Sequence, residues 1–117
     1  VFDFLERAPG GYDAVVTDPP AFAKSRKHLP KALKAYGKLN RLAWRQLKPG
    51  GVLFACSCSY HVSEADLLNL LSEAVGREGG AAHVIHRGMQ AADHPVLLSM
   101  PETCYLKCVG LRKLTTP

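Results

Sequence analysis

With 117 residues and 47% apolar content, the chain has material for one globular core and not for two ordinary domains. No apolar run approaches the ~18–20 residues that span a bilayer, and Val1-Phe2-Asp3-Phe4 has neither the basic start nor the apolar centre of a secretion signal. A membrane partner and a secreted, disulfide-stapled module are therefore disfavoured, and a cytoplasmic location is expected. The formal charge of +5 says less than its placement.

Residues 2–7 hold an apolar cluster of Phe2, Phe4 and Leu5, and Pro9-Gly10-Gly11 then reads as a turn. The chain starts without methionine and inside this cluster, as a piece of something longer would. A strand is expected over residues 13–17. It is stopped abruptly by Asp18-Pro19-Pro20-Ala21-Phe22. Proline has no ladder donor and pushes the residue before it out of the helical region, so the chain must leave the sheet at Asp18. In open α/β sheets the edge outside the carboxyl ends of the strands is where ligands bind. The plain alternative is a tight turn with a solvated aspartate.

Residues 24–28 form a basic loop, and the spacing then predicts a helix over residues 30–47. Ala32, Ala35, Tyr36, Leu39, Leu42, Ala43 and Leu47 recur at three-four intervals, the mark of one buried stripe. Pro49-Gly50-Gly51 is the expected stop. Residues 52–56 read as a strand apolar on both sides, of the kind found inside a covered parallel sheet, ending at Ser57-Cys58-Ser59-Tyr60. Ser63-x-x-Asp66 has the form of a capping box, and a helix carrying Leu67, Leu68, Leu70, Leu71, Ala74 and Val75 runs to Gly79-Gly80. A third strand is expected over 82–86, a long loop over 88–101 and a fourth strand over 103–111. This order predicts an α/β layer structure, with three parallel strands joined by right-handed crossovers and a last, antiparallel strand.

Nine of the fifteen Lys and Arg residues lie from Lys24 to Lys48, and no Asp or Glu occurs between Asp18 and Glu64. Such a block is the electrostatic footprint of a polyanion, against the plainer reading of a solvated helix face. Cysteines at 56, 58, 104 and 108 match no common zinc spacing, so no metal site is expected and the thiols are read as reduced. Of the five histidines, only His94, in the long loop, is a residue of interest.

Two strand ends carry the chemistry. Asp18 closes the first strand and Cys58 lies just past the second, so neighbouring strands would open both side chains into one crevice. A cysteine attacks as thiolate, and a carboxyl group beside it holds or protonates the substrate as charge develops. A buried, inert thiol is the commoner fate of cysteine, but Cys58 follows the apolar run and is flanked by serines. Cys56, inside the run, is the better candidate for packing, and Cys104 and Cys108 share a strand face toward the core.

Asp18-Pro19-Pro20-Ala21-Phe22, the stretch from Tyr36 to Asn40 leading to Leu47-Lys48-Pro49-Gly50-Gly51, and Ser57-Cys58-Ser59 together resemble the bacterial large-subunit rRNA cytosine-C5 methyltransferases. The stretches Gln90-Ala91-Ala92-Asp93-His94-Pro95, Pro101-Glu102 and Tyr105-Leu106-Lys107 are similar to that family too. The resemblance covers nearly the whole chain. It implies the carboxyl-terminal half of a Rossmann-like class I fold that uses S-adenosyl-L-methionine, without the Gly-rich half and without an amino-terminal RNA-binding domain. It further implies Cys58 as nucleophile at cytosine C6, and Asp18 as the group that holds the ring. Asp18, Pro19, Pro20 and Phe2 would line the cofactor. Phe22, Lys24, Arg26, Lys27 and His94 would meet the RNA. The implied partner is large-subunit ribosomal RNA with the target base out of its stack, and a homodimer is compatible with it. Ala21 stands where many RNA cytosine methyltransferases carry a second cysteine, so product release must use another group.

Three other readings remain at this point. Asp-Pro-Pro with a following aromatic also resembles exocyclic-amine methyltransferases, and guanine-modifying relatives lack the cysteine; Ser57-Cys58-Ser59 favours C5 chemistry. A non-catalytic RNA-binding fragment would use the basic helix alone. The plainest reading is an α/β domain with a basic surface and no RNA role. By itself this piece is expected to be inactive.

Overall fold

A computed structural model describes residues 2–7, 9–19, 27, 29–58, 62–89 and 107–114. The elements in chain order are α1 (Phe2–Arg7), β1 (Tyr12–Thr17), α2 (Leu29–Gln46), β2 (Leu47–Ser57), α3 (Glu64–Arg77), β3 (Ala82–Met89) and β4 (Lys107–Lys113). The strands form one sheet in the order β1-β2-β4-β3. β1 and β2 are parallel, and β4 is antiparallel to both its neighbours. Three strands thus share a direction and one opposes them, the α/β arrangement expected from the sequence. The position of β4 between β2 and β3 is set by long-range pairing that no local pattern announces.

Helix α2 buries Ala32, Tyr36, Leu39, Leu42, Ala43 and Trp44, one stripe at three-four spacing. Helix α3 starts at a complete capping box, with the Asp66 amide donating to the Ser63 hydroxyl and the Ser63 amide donating to the Asp66 carboxylate. Glu64 and Asp66 in the first turn also complement the helix dipole. The helix ends at Arg77, and Gly79 takes the left-handed φ of +67° that the reversal needs. Both helices lie on the same face of the sheet. Tyr36, Trp44, Leu53, Val62, Leu67, Leu71 and Val109 meet there in one core. A smaller cluster of Leu5, Leu39 and Leu42 joins α1 to α2, and Gln46 adds a side-chain amide donated to the Leu5 carbonyl at 2.7 Å.

The expected boundary at Pro49-Gly50-Gly51 moves. The helix does end, at Gln46, but β2 begins at once at Leu47 and runs through Pro49-Gly50-Gly51. Tyr12 pairs with Leu47 and Ala14 already with Val52, so the intervening residues bulge out of the ladder. Glycine is required at 51. A Cβ there would lie 2.9 Å from the Lys48 carbonyl and 3.1 Å from that of Asp13. Lys113, from β4, locks the same corner by donating from Nζ to the carbonyls of Trp44 and Leu47 at 3.2 and 3.0 Å. β3 is longer than expected and takes in residues 88 and 89 of the expected loop; residues 90–101 of that loop lie outside the described residues. Of the strand expected over 103–111, residues 107–113 form β4, and 103–106 lie outside the described residues. The apolar cluster at residues 2–7 is a helix, α1.

The two faces of the sheet differ. Along β2, Leu53, Ala55 and Ser57 are buried under the helices, while Val52, Phe54 and Cys56 on the other face are only half-buried. Val16, which pairs with Phe54, is 63% exposed. The continuous apolar run 52–56 predicted cover on both sides. Among the described residues the cover is one-sided.

Candidate active site

The carboxyl ends of β1 and β2 lie side by side, since Thr17 pairs with Ala55 in parallel register. Asp18 leaves β1 one residue later and Cys58 leaves β2 three residues later. The structure therefore brings together the two residues that the sequence singled out. Cys58 is half-buried, and its Sγ lies 4.0 Å from the carbonyl oxygen of Pro19, to which it donates. Asp18 is exposed, and Pro19 half-buried. Side chains alternate along a strand, so Cys56 and Cys58 fall on the same side of β2, the side without helices.

A buried polar buttress stands behind this edge. Thr17 Oγ1 donates to Asn40 Oδ1 at 2.7 Å, and Asn40 Nδ2 donates to the Tyr36 carbonyl at 2.9 Å. Thr17 and Asn40 are both buried. The bond ties α2 to the last residue of β1 and fixes where Asp18 emerges. Asn40 is thus a positioning residue that the sequence reading passed over as part of a motif. The signal was there: a poor helix former in line with Tyr36 and Ala43 on the buried stripe.

Among the described residues, Cys56 has its ionisation most disturbed. Its thiol is pushed from 9.0 to about 12, chiefly by burial, then by the hydrogen bond and charge of Cys108, with a smaller push from the Asp18 carboxylate. Cys56 is thus held protonated beside the site. Neither Cys56 nor Cys108 is in the core where the sequence reading put them. Both are half-buried on the helix-free face, with their sulfurs 3.3 Å apart.

Several expected site residues fall outside the described residues: Pro20, Phe22, Lys24, Arg26 and His94, together with Cys104. Phe2 opens α1, and its side chain is likewise outside them. Lys27 is exposed. No group of three His, Cys, Asp or Glu capable of holding a metal occurs among the described residues.

The basic block is less free in space than along the chain. Acids from other elements come to it: Glu6 to Lys38 at 3.9 Å, Glu78 to Arg45 at 2.8 Å and to Arg41 at 3.7 Å, and Asp13 to Lys48. Such exposed pairs contribute only ~0–1 kcal/mol each, but they offset the field that the sequence suggested. A groove of about 620 Å³ between α2 and α3 has Lys34, Lys38, Arg41 and Arg77 beside Asp66 and Glu73. It lies away from the strand ends. Neither Asp18 nor Cys58 lines it.

No family model matches the chain. It is 38% identical over 96 residues to ribosomal RNA large subunit methyltransferase I of Vibrio vulnificus (strain YJ016), covering 82% of this chain and 24% of that protein. The chain thus spans about a quarter of the length of the curated relatives it matches. Among solved structures, it superposes on a candidate methyltransferase crystallised in complex with SAH, with a TM-score of 0.73 at 21% identity over 95% of this chain and 28% of the other. A methyltransferase homolog protein from Pyrococcus horikoshii gives a TM-score of 0.65 at 17% identity, over 95% of this chain and 42% of the other. The fold is that of an α/β methyltransferase sheet.

Proposed function

We propose that this chain is the base-binding and nucleophile half of an S-adenosylmethionine-dependent methyltransferase that acts on C5 of a cytosine in large-subunit ribosomal RNA. The observation that carries the reading is the convergence of Cys58 on Asp18-Pro19 at the shared carboxyl edge of β1 and β2. The likeness to ribosomal RNA large subunit methyltransferase I supports the substrate class, and the fold shared with a protein that holds SAH supports the cofactor.

The described residues fit one wall of the cofactor site. Asp18 offers an exposed carboxylate to a cationic ligand, and the half-buried Pro19 ring gives it a stiff apolar neighbour. When bound, the cofactor supplies an electrophilic methyl group on its sulfonium, which C5 accepts. The chain's own part begins with the Cys58 thiol passing its proton to the Asp18 carboxylate and its sulfur bonding to cytosine C6. The electron pair of the C5–C6 double bond moves toward C5 and N3, and the Asp18 carboxyl group, protonated at this step, donates a hydrogen bond to the ring as charge builds. After methylation the C5 proton leaves to a base, the double bond re-forms, and the S–C6 bond breaks to return Cys58. The target base must leave its stack to enter, which suits an unpaired nucleotide.

The remaining cofactor contacts, from a Gly-rich loop and a ribose-binding acid, would come from a second half of the catalytic unit.

The test uses the full-length protein carrying this chain, with S-adenosylmethionine and RNA containing 5-fluorocytidine. Fluorine at C5 blocks the final proton loss, so the protein–RNA adduct should persist through denaturing electrophoresis and vanish in Cys58→Ala. Methyl transfer to ordinary RNA without any trapped adduct would replace C5 chemistry with amine or guanine methylation. Salt-sensitive RNA binding with no transfer would leave a binding module.

A further inference from the structure

Cys56 and Cys108 stand out among the groups that the proposed reaction does not use. They are direct partners in the antiparallel register of β2 and β4, and both side chains sit on the helix-free face. Their sulfurs are 3.3 Å apart, already in contact. Directly opposed residues of an antiparallel pair have Cα atoms ~4.5–5.5 Å apart, inside the ~4.4–6.8 Å that a disulfide accepts. The backbone therefore needs no movement for a bond. Small rotations about χ1 would bring the sulfurs to the ~2.05 Å of a disulfide. Two packed, inert thiols are the plainer account of such a pair. Core thiols, however, are enclosed, and these two are half-exposed on an open sheet face beside an active-site edge.

We infer that Cys56 and Cys108 form an oxidisable dithiol, which a peroxide closes into a reversible cross-strand disulfide next to the nucleophile. The step balances as two thiols and one peroxide giving one disulfide and two waters. One sulfur, as thiolate, attacks the peroxide oxygen, and the O–O bond breaks to leave a sulfenic acid and water. The partner thiol then displaces the hydroxyl group as a second water, forming the S–S bond. The two sulfurs are in mutual contact, so whichever thiol is oxidised first has its resolving partner already in place. Cys58, two residues along β2 with its sulfur turned to the Pro19 carbonyl, is not consumed. A bond at this place would fix the end of β2 to β4 immediately before the nucleophile.

The experiment treats the folded full-length protein with hydrogen peroxide, blocks free thiols with iodoacetamide, and maps the unreduced peptides by mass spectrometry. The expected result is a cross-linked Cys56–Cys108 peptide, two hydrogens lighter than its parts, with Cys58 still alkylated and full reversal by dithiothreitol. In Cys108→Ser the cross-link should disappear, and Cys56 should be recovered as a thiol that iodoacetamide alkylates once the protein is denatured. If that variant does not fold, the unmodified protein decides alone, because the pairing is read directly. Cys56 and Cys108 both alkylated after peroxide has modified Cys58 would overturn the inference. So would pairing of either one with Cys58 or Cys104, or a sulfinic acid at Cys108 beside an untouched Cys56. None of these readouts depends on methyl transfer, so failure here leaves the proposed function where it stands.

Discussion

The two faces of the sheet are built from the same kinds of residue and do different work. On the helix side, Leu53, Ala55, Val109 and Leu111 are buried with Tyr36, Trp44, Leu67 and Leu71. On the other side, Val16 is exposed, Phe54 is half-buried, and three cysteines with Asp18 occupy the carboxyl edge. A β-branched or aliphatic residue contributes stability only where its surface leaves water, at roughly 25 cal/mol per Å². The helix side therefore holds the chain together, and the open side carries Cys56, Cys58 and Cys108. Alternation along single strands separates the two roles: Ser57 is buried between Cys56 and Cys58, which are not.

The largest expected effect breaks this comparison at its centre. Leu53→Ala removes a side chain that is 1% exposed and should cost about 2–5 kcal/mol, a transfer loss plus a cavity. Val16→Ala, on the neighbouring strand but 63% exposed, should stay within about 0.5 kcal/mol in this chain alone. Urea denaturation of the two variants measures both. Equal losses would mean that the open face is covered within this chain after all.

A sharper test lies where the helix side supports the site. Asn40→Ala leaves Thr17 Oγ1 buried without its acceptor and should cost about 1–3 kcal/mol. Thr17→Val alone leaves Asn40 Oδ1 unpaired, and the double variant should recover part of the sum, with a coupling of about 0.5–3 kcal/mol. Independent losses in that cycle would show that the bond does not join α2 to the end of β1. In the full-length protein the same Asn40 change should weaken adduct formation with 5-fluorocytidine RNA while leaving Cys58 open to alkylation. A buttress moves the geometry of the site, not the presence of its thiol.

What the sequence could and could not show follows the range of each interaction. The parallel pairing of β1 and β2 was legible because two apolar runs were joined by a helix of clear periodicity, and that pairing sets Cys58 beside Asp18. The capping box at Ser63 was legible because all its partners lie within four residues. Pro49-Gly50-Gly51 misled, since the same residues that end a helix also make a bulge at the start of a strand. The basic stretch was legible as a run of charge, but its pairing was not. Its counter-charges Glu6, Asp13 and Glu78 lie outside it in sequence and reach it only through the fold. The Cys56–Cys108 contact joins residues 52 positions apart and depends on β4 entering between β2 and β3, which no spacing foretells.

The smallest effect is one of pH, and it comes from the open face alone. The Cys56 thiol is raised from 9.0 to about 12 in the folded chain. At pH below 9 it is protonated in both the folded and the unfolded state, so its ionisation adds nothing to the pH dependence of stability. Between pH 9 and 12 the unfolded thiol loses its proton and the folded one keeps it, so unfolding releases a proton and stability falls as pH rises. The thiol is only partly withdrawn from water, so the fall should be a modest one. In Cys56→Val that component should be absent, and the alkaline limb of the urea midpoint against pH should be flatter than in the unaltered chain over this interval. A core thiol would give a steep fall and a freely solvated one none. The slope therefore measures how far this face is open at the point where β2 delivers Cys58. An identical limb in both proteins would mean that Cys56 ionises in the folded state as it does in the unfolded chain.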